Sequence, residues 1–444
     1  MKKTKLIIIF IMAMALFFYT SAGSARADVY CTEKCPNDTC CRTIVILHTN
    51  DMHGNLKPAL DKKIDEKNPV GGMAYLAAMV EKVRKEYPGK VLLLDAGDVS
   101  QGTPLSNIFY GRPMYEVMNY MHYDAGTLGN HEFDWGQSIL KNMVEWAQYP
   151  MVCANVVYKD RPQNTFLNLK PYVIKEVNGI KIGILGLTTT ETPIITKAEN
   201  VNGLEFADPE KTARKYIPIM KNHGANLILV LSHNGFEEDQ KLAGNVSGID
   251  VIVGGHSHTK NFETKKIGRT LVVQAGSYAR FLGKLVLKVN LKNYDIVSYT
   301  TVNEIQPVKH DDIQPDPEVQ RIIAKYDNQI KEKMARVICT ATEDLTRTPA
   351  EGRADSFLGN VITDAIRSET GADIGIYNPG GIRADLYKGN VTVEDMYKIL
   401  PFDNIVVTVN LPGREILSIL EHGAAYRNGS AQVSGLTFDV DYSK

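Results

Sequence analysis

The sequence predicts an α/β fold in two domains, and three observations carry that expectation. Short runs rich in Val, Ile and Leu alternate with longer segments whose apolar residues recur at helical spacing, the pattern of β-α-β units around a mostly parallel sheet. The 444 residues exceed what one hydrophobic core usually supports. Near residue 310 the alternation lapses into a polar stretch with three prolines, then begins again.

Residues 1–27 read as a secretory signal peptide. Lys2, Lys3 and Lys5 precede thirteen uncharged apolar residues, Leu6 to Phe18, and Ala25-Arg26-Ala27 puts small residues at the two positions a signal peptidase reads. The run is too short to span a bilayer comfortably, so the chain is expected to be exported, to the periplasm or the extracellular space, without a membrane anchor. Cleavage removes four basic residues and no acid, leaving 46 basic against 51 acidic residues and a net charge of about −5. That balance, with a pI near 6.8, gives no basis for a nucleic-acid polymer as partner, and it is silent on oligomeric state.

Residues 28–42 form a cysteine-rich segment. Cys31, Cys35, Cys40 and Cys41 fall within eleven residues, which in an exported protein reads first as two disulfides. Joining adjacent Cys40 and Cys41 strains the backbone, so two pairings stay open, with a four-thiolate metal knot as the alternative. Cys153 and Cys339 lie in apolar runs and are expected to be buried thiols.

The first folded domain is expected over residues 43–308. Ile44 to Asn50 is a strand ending in Asp51-Met-His53-Gly54; His48 within it is expected to be buried or supporting. Met73, Leu76, Ala77, Val80 and Val83 mark a helix, and Val91 to Asp98 a second strand ending in a carboxylate. Asp124 to Leu128 is a third, followed by Gly129-Asn130-His131-Glu-Phe-Asp134. Further strands are expected at Met151–Asn155, Lys181–Leu187, Asn226–Ser232, Asp250–Gly254 and Leu271–Gln274, with Lys284–Leu291 as an antiparallel edge. A linker helix is expected over 309–335, opened by Asp316 as N-cap and Pro317. In 336–444 the pattern restarts: a helix from Asp355 carrying Leu358, Val361, Ile362 and Ala365 on one face, a strand at Asp373–Tyr377, a helix after Thr392, a strand at Asn404–Asn410, a helix from Gly413, and an alternating strand from Ser434. Ending on half a hairpin suggests that more residues follow.

Strand ends thus present Asp51, His53, Asp98, Asn130, His131, His233, His256 and His258, five of the ten histidines together with two carboxylates. A cysteine-free set of imidazole, carboxylate and amide oxygen suits zinc, manganese, cobalt or iron, and exceeds what one tetrahedral ion takes. Two divalent ions sharing a carboxylate, roughly 3.5 to 4 Å apart, generate a hydroxide and hold the attacking and leaving oxygens of a phosphoryl transfer. Asp134, three residues after His131, can orient its imidazole if a helix begins there.

Asp51-x-His53, Gly97-Asp98, Gly129-Asn-His131-Glu, Ser232-His233 and Gly255-His256-Ser-His258 resemble the ordered blocks of the calcineurin-like metallophosphoesterases, and with the second domain they resemble the 5'-nucleotidase and UDP-sugar hydrolase family. The resemblance implies an amino-terminal metallophosphoesterase α/β sandwich and a smaller α/β carboxyl-terminal substrate domain, the latter incomplete. It implies that Asp51, His53 and His258 bind one ion and Asn130, His233 and His256 the other, that Asp98 bridges them, and that His131 stabilises the transferring phosphoryl group with Asp134 behind it. It also implies that Arg353, Asn378, Gly380, Gly381 and Arg383 contact substrate and that Phe402 stacks on the base.

Arg353 matches the family's arginine only with a shift of about one residue, and the family's second base-stacking aromatic lies in a region this chain lacks. The expected activity is metal-dependent hydrolysis of nucleoside 5'-monophosphates, extending to UDP-sugars or other nucleotides, by attack of a metal-bound hydroxide. The alternatives are a 2',3'-cyclic-nucleotide phosphodiesterase, a thiosulfohydrolase of the same build, or a catalytically silent metal- or nucleotide-binding protein.

Overall fold

The computed structural model describes residues 40–300, 305–310, 313–350, 353–425 and 431–441; the expected signal peptide, Cys31 and Cys35 lie outside these. The strand Cys41–Thr49 shows how the layers arise. Ile44 and Ile46 point to one face and Val45 and Leu47 to the other, and all four are buried. The first pair packs against Leu227, Leu229 and Leu231 of a second sheet. The second pair packs against Leu76 and Val80 of the helix Met73–Glu86. The second sheet repeats the arrangement, with Ile228 and Val230 turned outward to the helices Pro209–Asn222 and Phe236–Asn245. Helix, sheet, sheet and helix therefore stack as four layers.

The first sheet has seven strands and the second six. In the first, Cys41–Thr49, Val91–Asp95, Ala125–Thr127 and Met151–Val152 run parallel. In the second, Ile180–Thr188, Leu227–His233, Val251–Gly254 and Thr270–Val273 do so. Parallel strands bring their carboxyl ends to one edge, which collects the loops of both sheets.

Several expectations are corrected. Phe281–Asn290 is antiparallel but interior, lying between Cys41–Thr49 and Ile296–Tyr299. The polar stretch begins as a strand, Ile305–Pro307, paired to Phe281–Gly283. The helix Pro317–Met334 is capped by Asp316, whose Oδ1 accepts from the Glu318 and Val319 amides at 2.9 and 3.0 Å. Its face of Val319, Ile322, Ile323, Tyr326, Ile330 and Met334 is buried in the first core.

The carboxyl-terminal domain centres on Leu358, Ile362, Ile382 and Ile399. Its helix Phe357–Thr370 buries Leu358, Gly359, Ile362 and Thr363, while Val361 is exposed and Ala365 with it. Gly359 sets that rotation, because a side chain there collides with the Gln432 amide. Asn404–Asn410 is not a strand. Ile405 is 85% exposed, and no partner strand meets it among the described residues, so a β-prone run stays unpaired. From Ser434 only Gln432–Ser434 is strand, although Leu436, Phe438 and Val440 keep one half-buried face. Cys153 is buried as expected, but Cys339 is exposed, on a strand of a two-stranded sheet. Cys41 is disulfide-bonded. Among the described residues no helix is long and apolar enough to cross a membrane.

Candidate metal centre and substrate cleft

The strand-end loops are tight enough to strain the backbone. Asp51, His53, Asp98, His256 and His258 hold φ of 50, 48, 56, 75 and 55°, a left-handed region that costs a side-chain-bearing residue about 1 kcal/mol or more. Glycine is required beside them: a Cβ on Gly129 would lie 2.2 Å from Asp98 Oδ1. Five strained residues with metal-ligating side chains at one sheet edge are a built site.

The ligand atoms fall into overlapping groups, Asp51 with His53 and His258, Asp98 with His233 and His256, and His53 with Asp98 and His131, each within 4.8 Å. Asp51 Oδ1 stands 3.5 Å from His258 Nε2 and 3.9 Å from His233 Nε2. Asp98 Oδ2 stands 3.0 Å from His233 Nε2 and 3.9 Å from His53 Nε2, which puts Asp98 between the two groups. Asn130 Oδ1 meets His256 Nδ1 at 2.9 Å. All seven expected metal ligands are therefore brought together. His48 is buried elsewhere in its strand, packed on Gly283.

This donor set fits a pair of divalent cations. His53 and His233 use Nδ1–H on the carbonyls of Gln101 and Ala96, at 2.9 and 2.7 Å, which directs each Nε2 lone pair inward. Buried His233 Nε2 faces Asp98 Oδ2 at 3.0 Å inside the cluster. Burial opposes ionisation of Asp51, but His258 and His233 outweigh it and hold the carboxyl down to about 2; Asp98 is likewise held well below its ordinary range against burial by His233 and His131. Burial and Arg383 keep His53 well below its usual value. Against burial, Asp98 pushes His233 up to about 10, and a cation between the two would displace that proton.

His131 and Asp134 flank this centre. His131 begins a single 3-10 turn, His131–Phe133, and its Nδ1 lies 2.6 Å from Asp134 Oδ2. Asp134 is fixed by Thr196 Oγ1, which donates to Oδ1 at 3.2 Å. The His131 amide donates to Asp98 Oδ1 at 2.8 Å. Burial opposes charging of His131, yet Asp134 and Asp98 outweigh it and raise the imidazole above its usual value.

Supporting residues were not singled out in the sequence. Buried Glu132 accepts the amides of Asp98, Val99 and Gly129 at 2.9, 2.8 and 2.7 Å, tying two ligand loops together. Its only sequence signal is its place directly after His131. Asn50 donates to Asp51 Oδ2 at 2.6 Å while its Oδ1 accepts from the Ala275 amide at 2.8 Å. Glu191 lies 3.7 Å from His256 Nε2, in a loop that bears no motif.

The carboxyl-terminal domain roofs a cleft of about 640 Å³ with Asn378, Gly380, Gly381, Arg383 and Phe402, above Asp98, Asn130, His131 and His258. Arg383 Nη2 donates to His53 Nε2 at 3.0 Å. Phe402 stacks on His131, with ring centroids 5.3 Å apart at 21°. Arg353 is not brought in: it is exposed and pairs with Asp355 at 3.0 Å.

A stacked α/β sandwich with this centre at its strand ends defines a metallophosphoesterase. Residues 44–260 match the model of calcineurin-like phosphoesterases, and residues 337–444 that of the 5'-nucleotidase C-terminal domain. The chain is 30% identical to the 5'-nucleotidase of Vibrio cholerae over 89% of this chain and 79% of that one, and 31% identical to that of Rattus norvegicus over 90% and 76%. The crystal structure of the 5'-nucleotidase precursor from Thermus thermophilus superposes with a TM-score of 0.82 at 34% identity, covering 91% of this chain and 83% of that one. The chain belongs to the 5'-nucleotidase family of metallophosphoesterases, phosphoric monoester hydrolases.

Proposed function

We propose that this protein is exported and hydrolyses nucleoside 5'-monophosphates to nucleoside and phosphate, with UDP-sugars as further substrates. One observation carries the reading: the His131–Asp134 pair sits beside the ligand cluster in the same cleft as Arg383, Asn378 and Phe402. The relatives named 5'-nucleotidase support the substrate class, and the amino-terminal signal pattern supports export.

Asp51, His53 and His258 would hold one divalent ion and Asn130, His233 and His256 a second, with Asp98 shared; zinc, manganese and cobalt all suit the donors. Bound there, the ions would supply an activated water and neutralise phosphoryl charge. The chain's own groups do the rest. The Arg383 guanidinium lines the cleft beside His53 and would offer N–H groups to phosphate oxygens there. His131 gives Nδ1–H to Asp134 and so presents Nε2 to the phosphoryl oxygens, where it stabilises developing charge. Asn378 adds an amide, the turn Pro379–Gly381 lets the backbone approach, and Phe402 offers a ring face to a planar base. Arg353, paired with Asp355 outside the cleft, is left without this role.

Phosphate release by metal-reconstituted protein should be measured across AMP, UDP-glucose, 2',3'-cyclic AMP and β-glycerophosphate. Preference for AMP is expected. Preference for the cyclic nucleotide assigns the phosphodiesterase reading, and no turnover of any ester leaves a silent binding protein or a thiosulfohydrolase.

A further inference from the structure

We propose that two side-chain amides of the metallophosphoesterase domain, Gln101 and Asn107, clamp the Pro401 carbonyl and thereby set where Phe402 lies on His131. The clamp makes Gln101 and Asn107 positioning residues for nucleoside selection. This inference rests on the nucleotidase reading for its substrate and on the geometry alone for the clamp.

Gln101 Nε2 donates to Pro401 O at 3.1 Å and Asn107 Nδ2 to the same oxygen at 3.0 Å, using both of its lone pairs. The Asn107 amide is oriented by its other end, because Oδ1 accepts from the Gly102 amide at 2.9 Å, so the group facing Pro401 is the NH2. Proline has no N–H, which leaves that carbonyl as the residue's one backbone handle. The next residue is Phe402, stacked on His131 at 5.3 Å.

Gln101 also reaches the metal side. Its backbone carbonyl accepts Nδ1–H of His53 at 2.9 Å, so one residue fixes a ligand ring with its main chain and the base-facing segment with its side chain. Gln101 is 3% exposed, so its side-chain amide is held inside the packed seam where it meets the Pro401 carbonyl.

The test uses Gln101→Leu, which keeps the carbonyl that orients His53, and Asn107→Asp, which keeps the acceptor for Gly102 while losing the donor. Metal content, kcat and KM are measured for AMP and for β-glycerophosphate, which has no ring to stack, and hydrogen exchange is followed over residues 400–404. The clamp predicts, for each variant, a loss of about tenfold in kcat/KM for AMP through KM, as expected for one hydrogen bond. β-Glycerophosphate turnover and metal content stay within about twofold, and exchange over 400–404 is faster. Equal losses on both substrates, loss of metal, or unchanged AMP kinetics with unchanged exchange would overturn it. Wild-type protein that turns over AMP no better than β-glycerophosphate would defeat the nucleotidase reading instead, and exchange would then decide the clamp by itself.

Discussion

His131 Nδ1 lies 2.6 Å from Asp134 Oδ2, and Asp134 is held in turn by Thr196 Oγ1 at 3.2 Å on Oδ1 and by Asn200 Nδ2 at 2.8 Å on its backbone carbonyl. The carboxylate is anchored before substrate arrives, so its effect on the imidazole is one of orientation and charge. Asp134→Asn should lower kcat about 10- to 100-fold while metal content stays unchanged. Steady-state kinetics with metal analysis checks this; unchanged kcat would remove Asp134 from the reaction.

Glu132 is a buried carboxylate facing three backbone amides, and burial pushes it up to about 7 although the Gly129 and Val99 amides oppose the rise. In Glu132→Gln an NH2 group must face backbone N–H groups. Stability should fall by about 2 to 3 kcal/mol and metal should bind about tenfold more weakly, because the loops carrying Asp98 and Asn130 lose their tie. Urea unfolding and metal titration measure both.

The strand periodicity and the chemistry of strand ends were legible because they are local: Asp51, His53, Asp98, Asn130, His131, His233, His256 and His258 each follow a short apolar run, and the sheets bring those ends to one edge. Glu132 and Gln101 were not legible, since their partners are backbone groups fixed only by tertiary packing. Asn404–Asn410 failed for a related reason. Its Val-Ile composition reads as strand, but strand needs a partner backbone, and none meets it among the described residues. Val361 was misplaced because helical spacing gives a face's width, while Gly359 against Gln432 decides its direction. Phe402 stands out in the sequence only through the family resemblance, as a base-stacking aromatic, and its stacking on His131 follows from tertiary packing alone.

The strained ligand loops imply that bound metal stabilises the fold without creating it. Chelation should lower Tm, because ions at about 1,000 times their Kd each contribute roughly 4 kcal/mol. Far-ultraviolet circular dichroism should change little, since the cores of both sheets contain no ligand atom. Loss of secondary structure on chelation would contradict this.

Asp250 supplies a pH effect away from the centre. Burial pushes its carboxyl up from 3.8 to about 6, against the Ile228 amide at 2.8 Å and against Lys221. A carboxyl raised in the folded state contributes stability that is full below about pH 4 and is lost as pH rises through about 6. Asp250→Asn should therefore gain on wild type by about 2 to 3 kcal/mol between pH 4 and pH 7. Urea unfolding at the two pH values checks the sign.

The most direct test of a metal-dependent nucleotidase is AMP hydrolysis by metal-stripped protein before and after zinc, manganese or cobalt is restored, in wild type and in His131→Ala. The account predicts no activity without metal, recovery with at least one ion in wild type, and a metal-loaded, folded but nearly inactive His131→Ala. Full AMP turnover by the stripped protein, or by metal-loaded His131→Ala, would contradict it.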